Sequence, residues 1–200
     1  MSRPRLLDLF CCQGGAGMGY YLAGFEVEGV DIEPQPRYPF PMHQGDALTF
    51  LAEHWREFDA VHASPPCPRY ANVTQWRGNP DEHPDLLPAT REALTALPIP
   101  WVIENVPEAP IRPDYLLCGT MFGLKVRRHR AFETSWGGGL QPHCGPHRGL
   151  VPFMHKGERA FADALGGHWM TNRGGREAIP PAMTQWIGEQ MIAASGEAVA

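Results

Sequence analysis

Apolar residues in the first two thirds of the chain come in short runs, each closed by glycine, proline or an acidic residue, the pattern of strands alternating with helices. RLLDLF (5–10) predicts a strand, QGGAGMG a glycine turn, and MGYYLAGF a helix of one or two turns. VEGVDI (27–32) predicts a second strand, a third element leads to Gly45 and Asp46, and FDAVHAS (58–64) predicts a strand ending in the rigid turn PPCP. A helix is expected over 86–96 and a buried strand, IPWVIENV, over 99–106. This alternation implies an α/β fold with a doubly wound, mostly parallel sheet, whose ligands gather at the carboxyl ends of the strands. Beyond Phe132 the periodicity fades: residues 133–157 are rich in Gly, Pro and His and predict loops, and a last helix is expected from about Pro180 through AMTQWIGEQMIA.

A chain of 200 residues suits one domain around a single sheet. No apolar run approaches the length of a membrane span, and MSRPRLLDLF enters its first strand without an apolar leader, so the expectation is a cytoplasmic monomer without a membrane partner. The net charge of −5 argues against a polyanionic partner until its distribution is considered. Residues 1–110 carry 7 Lys and Arg against 15 Asp and Glu, whereas residues 111–200 carry 10 against 7, which places the basic face in the C-terminal half. Five cysteines at 11, 12, 67, 118 and 144 form no disulfide framework, so reduced thiols are expected and a reactive one is allowed.

The glycines 14, 15, 17 and 19 let a ligand approach the backbone where a first strand turns into its helix, and Asp31 at the end of the second strand is placed to accept ribose hydroxyls. Together they point to a nucleoside-type cofactor and leave a nicotinamide and S-adenosylmethionine equally open. Cys67 follows two prolines at a strand end, a stiff turn that suits a nucleophile, whereas Cys11, Cys12 and Cys118 read as inert thiols. Glu104 ends an apolar strand, where a partly desolvated carboxyl group has a raised pKa and can deliver a proton near neutrality. The segment PHCGPH, with His143, Cys144 and His147, and Cys118 upstream, invites a zinc reading. Its spacing matches no common zinc module, so no metal site is expected and the histidines read as loop residues. Trp136, Trp169 and Trp186 read as packing residues.

In order and spacing these segments resemble the DNA cytosine-5 methyltransferases: DLFCCQGGAGMG is similar to their cofactor motif, ASPPCP to their nucleophile motif and IENV to their glutamate motif. VRRHRAF (126–132) resembles their arginine motif, with Arg128 and Arg130 at its two arginines, and EAIPP (177–181) resembles their C-terminal cofactor motif. The resemblance covers residues 5–132 and 176–190 and implies a Rossmann-like sheet of the S-adenosylmethionine-dependent methyltransferase type. It further implies catalysis by Cys67 and Glu104 on a flipped-out cytosine in double-stranded DNA, with Arg130 and Arg128 holding the base and the nucleophile loop. Phe10, Gly14 and Gly15 would lie against the methionine part of the cofactor, Asp31 on its ribose, Ile32 on adenine and Asp46 at the adenine amino group, with Ile179 and Pro66 also in the pocket.

The chain departs from that family where Pro68 and Ala71 replace a glutamine and a serine, for which Asn72 or Arg69 would have to compensate, and where Glu177 replaces an asparagine. The interval between the arginine and C-terminal motifs is also short, as in the small enzymes encoded by phages and prophages. The expected organisation is a catalytic core over 1–132, a loop-rich target-recognition segment over 133–175 and a returning C-terminal segment over 176–200. Arg148, Lys156, Arg159 and Arg173 are the candidate DNA contacts. Three other readings stay open: a catalytically impaired DNA-binding decoy or regulator, a nicotinamide-dependent oxidoreductase, and the same chemistry on RNA or with a modified methyl donor.

Overall fold

The computed structural model describes residues 2–152 and 159–197. Along the chain lie β1 (Arg5–Leu9), α1 (Gly15–Ala23), β2 (Glu26–Asp31), β3 (Met42–Gln44), α2 (Ala47–His54), β4 (Ala60–Ala63), α3 (Asn72–Arg77) and α4 (Leu87–Thr95). They are followed by β5 (Trp101–Asn105), β6 (Tyr115–Cys118), β7 (His129–Thr134), α5 (Arg159–Ala164), α6 (Asn172–Glu177) and α7 (Pro181–Glu197). The strands form one sheet in the order β3-β2-β1-β4-β5-β7-β6. β1 to β5 run parallel, and β7 runs antiparallel to both β5 and β6.

The alternation of side chains along β1 divides the core in two. Leu6 joins Tyr20, Val27, Met183 and Ile187 under α1 and α7, while Leu7 and Leu9 join Leu51, Val61 and Leu94 under α2 and α4. All of these are at most 2% exposed, and each such side chain contributes about 1.5–3 kcal/mol of burial. Helices therefore cover both faces, and the expected doubly wound, mostly parallel α/β sheet is what the chain forms. Its order reverses at β1, between β2 and β4, where such sheets open a crevice at their carboxyl ends.

Beyond the expected elements the chain forms α2, α3, β6, β7, α5 and α6. β7 carries Arg130 and Glu133 within a buried run, so its hydrophobic pattern is broken, yet Arg130 Nε lies 2.7 Å from Glu104 on β5 and Glu133 accepts from Arg91 Nη2 at 2.8 Å. β6 is only four residues long. Helices α5 and α6 occupy a stretch assigned to the loop-rich segment; Phe161 and Leu165 pack on Val126, and Thr171 caps α6 by accepting from Gly174 N–H at 3.0 Å. The sheet ends on β3 at one side and β6 at the other. At the β6 edge the Gln141 side chain pairs with Leu116, its Oε1 accepting from the Leu116 N–H at 3.0 Å and its Nε2 donating to the Leu116 carbonyl at 3.4 Å. Among the described residues no helix is long and apolar enough to cross a membrane.

Candidate active site

A cavity of about 290 Å³ opens at the carboxyl ends of β1, β2, β4 and β5 and is closed by the segment entering α7. Its lining includes Phe10, Gly15, Asp31 and Ile32 on one side, Pro66, Cys67, Glu104 and Arg130 on another, and Ile179 above. The local backbone explains why these side chains converge. Phe10 (φ 59°) and Cys12 (φ 45°) adopt the left-handed conformation that non-glycine residues rarely take, a strain typical of functional turns. Gly14 (φ 80°) continues the turn, and a Cβ at Gly15 would stand 2.4 Å from the Ile179 carbonyl oxygen, so the EAIPP segment can cross only a bare backbone.

Asp31 accepts from the Cys12 N–H at 2.8 Å on one oxygen and from the Glu33 N–H at 3.0 Å on the other. Each oxygen keeps a further lone pair for a hydroxyl ligand. Next to it Ile32 is 65% exposed, an apolar platform at the cavity mouth. Gln13 ties the turn to the C-terminal segment: its Oε1 accepts from Thr171 N–H at 2.8 Å, and its carbonyl accepts from Trp169 Nε1 at 2.7 Å. Gly14 and Asp46 do not line the cavity. Gly14 packs against Tyr38 and Pro39, and Asp46 caps α2 by accepting from the Thr49 N–H at 2.8 Å.

Cys67 is half-buried and packs beside the apolar cluster of Leu9 and Ile103. Its turn is held from β5, where Asn105 Nδ2 donates to the Pro65 carbonyl at 3.0 Å. Burial pushes the thiol pKa up, and the charges of Arg130 and Arg128 pull it partly back. Glu104 is 4% exposed. Its Oε1 touches Arg130 Nε at 2.7 Å but lies off the N–H direction and accepts no hydrogen bond. Burial raises the Glu104 pKa against the pull of Arg130 and Arg128. Arg128 lines a neighbouring groove with Glu108 and Phe161 rather than the cavity, and burial with the nearby Arg130 charge lowers its pKa to about 9.

Sequence reasoning missed two buried polar groups here. Asp8 accepts from Tyr38 Oη at 3.0 Å, and burial raises its carboxyl pKa to about 8; the one signal was a lone acid in RLLDLF. His62 bridges Tyr20 Oη (3.0 Å) and Ser64 Oγ (2.7 Å), and burial lowers its pKa to about 3. The two residues weighed as replacements for the missing loop amide and hydroxyl are engaged elsewhere: Arg69 with the Pro80 carbonyl and Asp81, Asn72 with Glu108. Of the candidate DNA contacts, Arg159 is bound to Asp163 and to the carbonyls of Gly167, His168 and Met170, and Arg173 pairs with Glu177. Arg148 is exposed, and Lys156 lies outside the described residues. Trp186 meets Tyr115 edge to face, and Trp136 packs on the core, as expected of packing residues. Cys118, read as an inert thiol, and Cys144 and His147 of the loop bring their ligand atoms together with that of His129, whereas His143 stands outside this group.

No protein-family model matches the chain, and no curated protein does. Among solved structures it is similar to a protein described as a DNA modification methyltransferase encoded within a prophage of E. coli, at 18% identity over 64% of this chain and 45% of that one, TM-score 0.47. It is also similar to the Entamoeba histolytica methyltransferase EhMeth (16% identity, 67% and 53% covered, TM-score 0.48) and to the S. pombe Dnmt2 methyltransferase (20%, 66% and 49%, 0.45). The chain spans about half the length of these structures.

Proposed function

We propose that this chain is an S-adenosylmethionine-dependent methyltransferase that modifies C5 of cytosine in DNA through a transient bond between Cys67 and C6. One observation carries the reading: a thiol on a stiff turn and a buried carboxyl oxygen without a hydrogen bond face one cavity, beside the groups suited to a nucleoside. A nicotinamide reading uses Asp31 and the glycine turn but leaves Cys67, Glu104 and Arg130 without a task. The residues present fit S-adenosylmethionine: Asp31 would hold its ribose hydroxyls, Ile32 its adenine, and Phe10 and Gly15 its methionine part, with Pro66 and Ile179 closing the pocket. When bound, it supplies the electrophilic methyl group.

The chain's own residues then divide the work. The Cys67 thiolate forms a bond to C6, and the electron pair of the C5–C6 double bond shifts into the ring, making C5 nucleophilic. Glu104, whose pKa burial raises against the pull of Arg130 and Arg128, would deliver a proton to N3 as charge develops there, and Arg130 holds that carboxyl in place. After C5 is methylated its proton leaves to a base, the double bond re-forms and the Cys67 sulfur is expelled. Glu104 lies too deep for a base still stacked in a duplex, so the cytosine must swing out of the helix. Target reading would fall to the segment 133–175, in which Arg148 is an exposed candidate, a stretch that can supply few base contacts and hence a short site of roughly two to four base pairs.

The test is incubation with isotopically labelled S-adenosylmethionine and mixed DNA and RNA, followed by nucleoside mass analysis and by trapping on DNA containing 5-fluorocytosine. The expected product is 5-methylcytosine in DNA with a covalent adduct at Cys67. Label only in RNA would move the substrate, and binding of NAD without S-adenosylmethionine would overturn the reading.

A further inference from the structure

Away from the cavity, at the outer edge of the sheet, four side chains from three stretches of chain bring their donor atoms together. Cys118 closes β6, His129 opens β7, and Cys144 and His147 sit in the loop that follows. We propose that these four residues form a structural zinc site of the Cys₂His₂ type. Cys118 Sγ lies 3.3 Å from His147 Nε2, and Cys144 Sγ lies 3.2 Å from His147 Nε2 and 3.8 Å from His129 Nε2. All four donor atoms fall within 4.8 Å of one another.

A tetrahedral zinc ion with bonds of about 2.3 Å to sulfur and 2.0 Å to nitrogen requires donor separations of about 3.3–3.8 Å along the edges of its coordination shell. The three sulfur–nitrogen distances of 3.2, 3.3 and 3.8 Å lie at or close to that range, and the outer bound of 4.8 Å leaves about one ångström of closure to be made on binding. Two thiolates and two neutral imidazoles neutralise a divalent cation, and that donor set, closed by four protein ligands, is one that zinc favours. The surroundings agree. Thr120 Oγ1 donates to Cys118 Sγ at 3.3 Å and lies 3.7 Å from Cys144 Sγ, the kind of outer partner that steadies a ligating sulfur.

The site also answers a folding question. Between β7 and residue 152 the chain has no regular secondary structure, and a stretch of that length is costly to order without a cross-link. Beyond Ser135 and Trp136, which pack at the end of β7, its fixed points include Gln141 on Leu116, Val151 on Lys125 and the cluster between them. Zinc would clip this loop to the sheet edge and fix the start of β7, where His129 stands between Arg128 and Arg130. Each bound ion would displace the two thiol protons into solvent.

Elemental analysis of the full chain expressed with zinc should find one zinc per chain. Cobalt in its place should produce the intense visible absorption of a tetrahedral thiolate site. Because Cys118 is buried, its replacement would confound folding with ligation, so the decisive variants are Cys144→Ser and His147→Ala, with His143→Ala as the neighbouring control. Cys144→Ser and His147→Ala should lose stoichiometric zinc and the cobalt spectrum, and His143→Ala should keep both. A chelator should lower the melting temperature of the native chain and leave that of Cys144→Ser unmoved. Full zinc content in Cys144→Ser, a metal-free native chain with no cobalt spectrum, or a Cys118–Cys144 disulfide in its place would each overturn the proposal.

Discussion

The two halves of the sheet place their polar groups differently. On the side of β2, β1, β4 and β5, apolar layers hold the strands, and the groups of the proposed chemistry sit at the strand ends: Asp31 closes β2, Cys67 follows β4, and Glu104 lies one residue from the end of β5. On the side of β7 and β6, Tyr115, Leu117 and Phe132 join the apolar core, and polar side chains tie the strands as well, through Arg130 to Glu104, Glu133 to Arg91 and the cluster around Cys144. In the first half a chemical group can be exchanged while the scaffold stands, because its packing lies elsewhere. In the second, removing a functional group also removes a structural one.

The largest expected effect lies in the first half. Cys67→Ser should lower methyl transfer by at least ~10³-fold while the denaturant midpoint moves little, since a lost nucleophile is among the costliest changes to turnover. Single-turnover assays beside chemical denaturation check this, and a matching collapse of stability would erase the contrast between the halves. Arg130→Ala should fail on both counts, costing about 3–5 kcal/mol of stability because it leaves Glu104 buried without its cation. The same change in a Glu104→Gln background should cost markedly less, and a double-mutant cycle that shows no coupling would refute the pairing.

Glu104→Gln alone should slow the chemical step by ~10²-fold, the scale of a lost general acid. The native rate should also fall as pH rises through the raised pKa of Glu104, on top of the rise that accompanies Cys67 deprotonation. A rate in Glu104→Gln equal to the native one would return this residue to a purely structural role.

The smallest effect sharpens the comparison within the first half. The folded-state pKa of Asp8 stands at about 8, above its ordinary 3.8, so its contribution to stability is complete at low pH and is lost as pH rises toward 8. His62, held at about 3 against 6.5, contributes fully above 6.5 and loses that contribution as pH falls toward 3. The two trends oppose one another between about pH 4 and 6.5, so the net change there should be on the order of 1 kcal/mol, with steeper loss on either side. Denaturation curves across pH should flatten on the alkaline limb in Asp8→Asn and on the acid limb in His62→Gln; unaltered limbs would mean that neither group carries the dependence.

What the sequence disclosed follows the same division. β1, β2, β4, β5, α4 and α7 were legible because apolar burial writes a period into the chain, and the glycine turn, Cys67 and Glu104 stood out against that background. β7 was invisible because Arg130 and Glu133 break its pattern, and only the fold reveals that their charges are satisfied by Glu104 and Arg91. The polar NRGGRE of α6 hid a helix whose stability comes from its cap and its docking rather than from an apolar stripe. The cysteine and histidine cluster escaped for a geometric reason. A spacing rule reads ligands along one local segment, whereas here an antiparallel strand pair brings Cys118 beside His129 and a loop returns with two more. Asp46, chosen by position, shows the converse: an acid just beyond a strand is as readily a helix cap as a ligand.

The glutamine docked against β6 bears on how copies of this protein behave toward each other in solution. An edge strand normally presents free amide and carbonyl groups in register, an open template on which a second chain can lay a strand and begin to aggregate. Gln141 offers Leu116 a primary amide shaped like one peptide unit, filling both valences of that rung with a side chain that cannot propagate the ladder. The outermost strand of the sheet thus meets water with one of its rungs already closed by its own chain, and Gln141 serves as a chain terminator for β-pairing, a task that bears on solubility and not on catalysis.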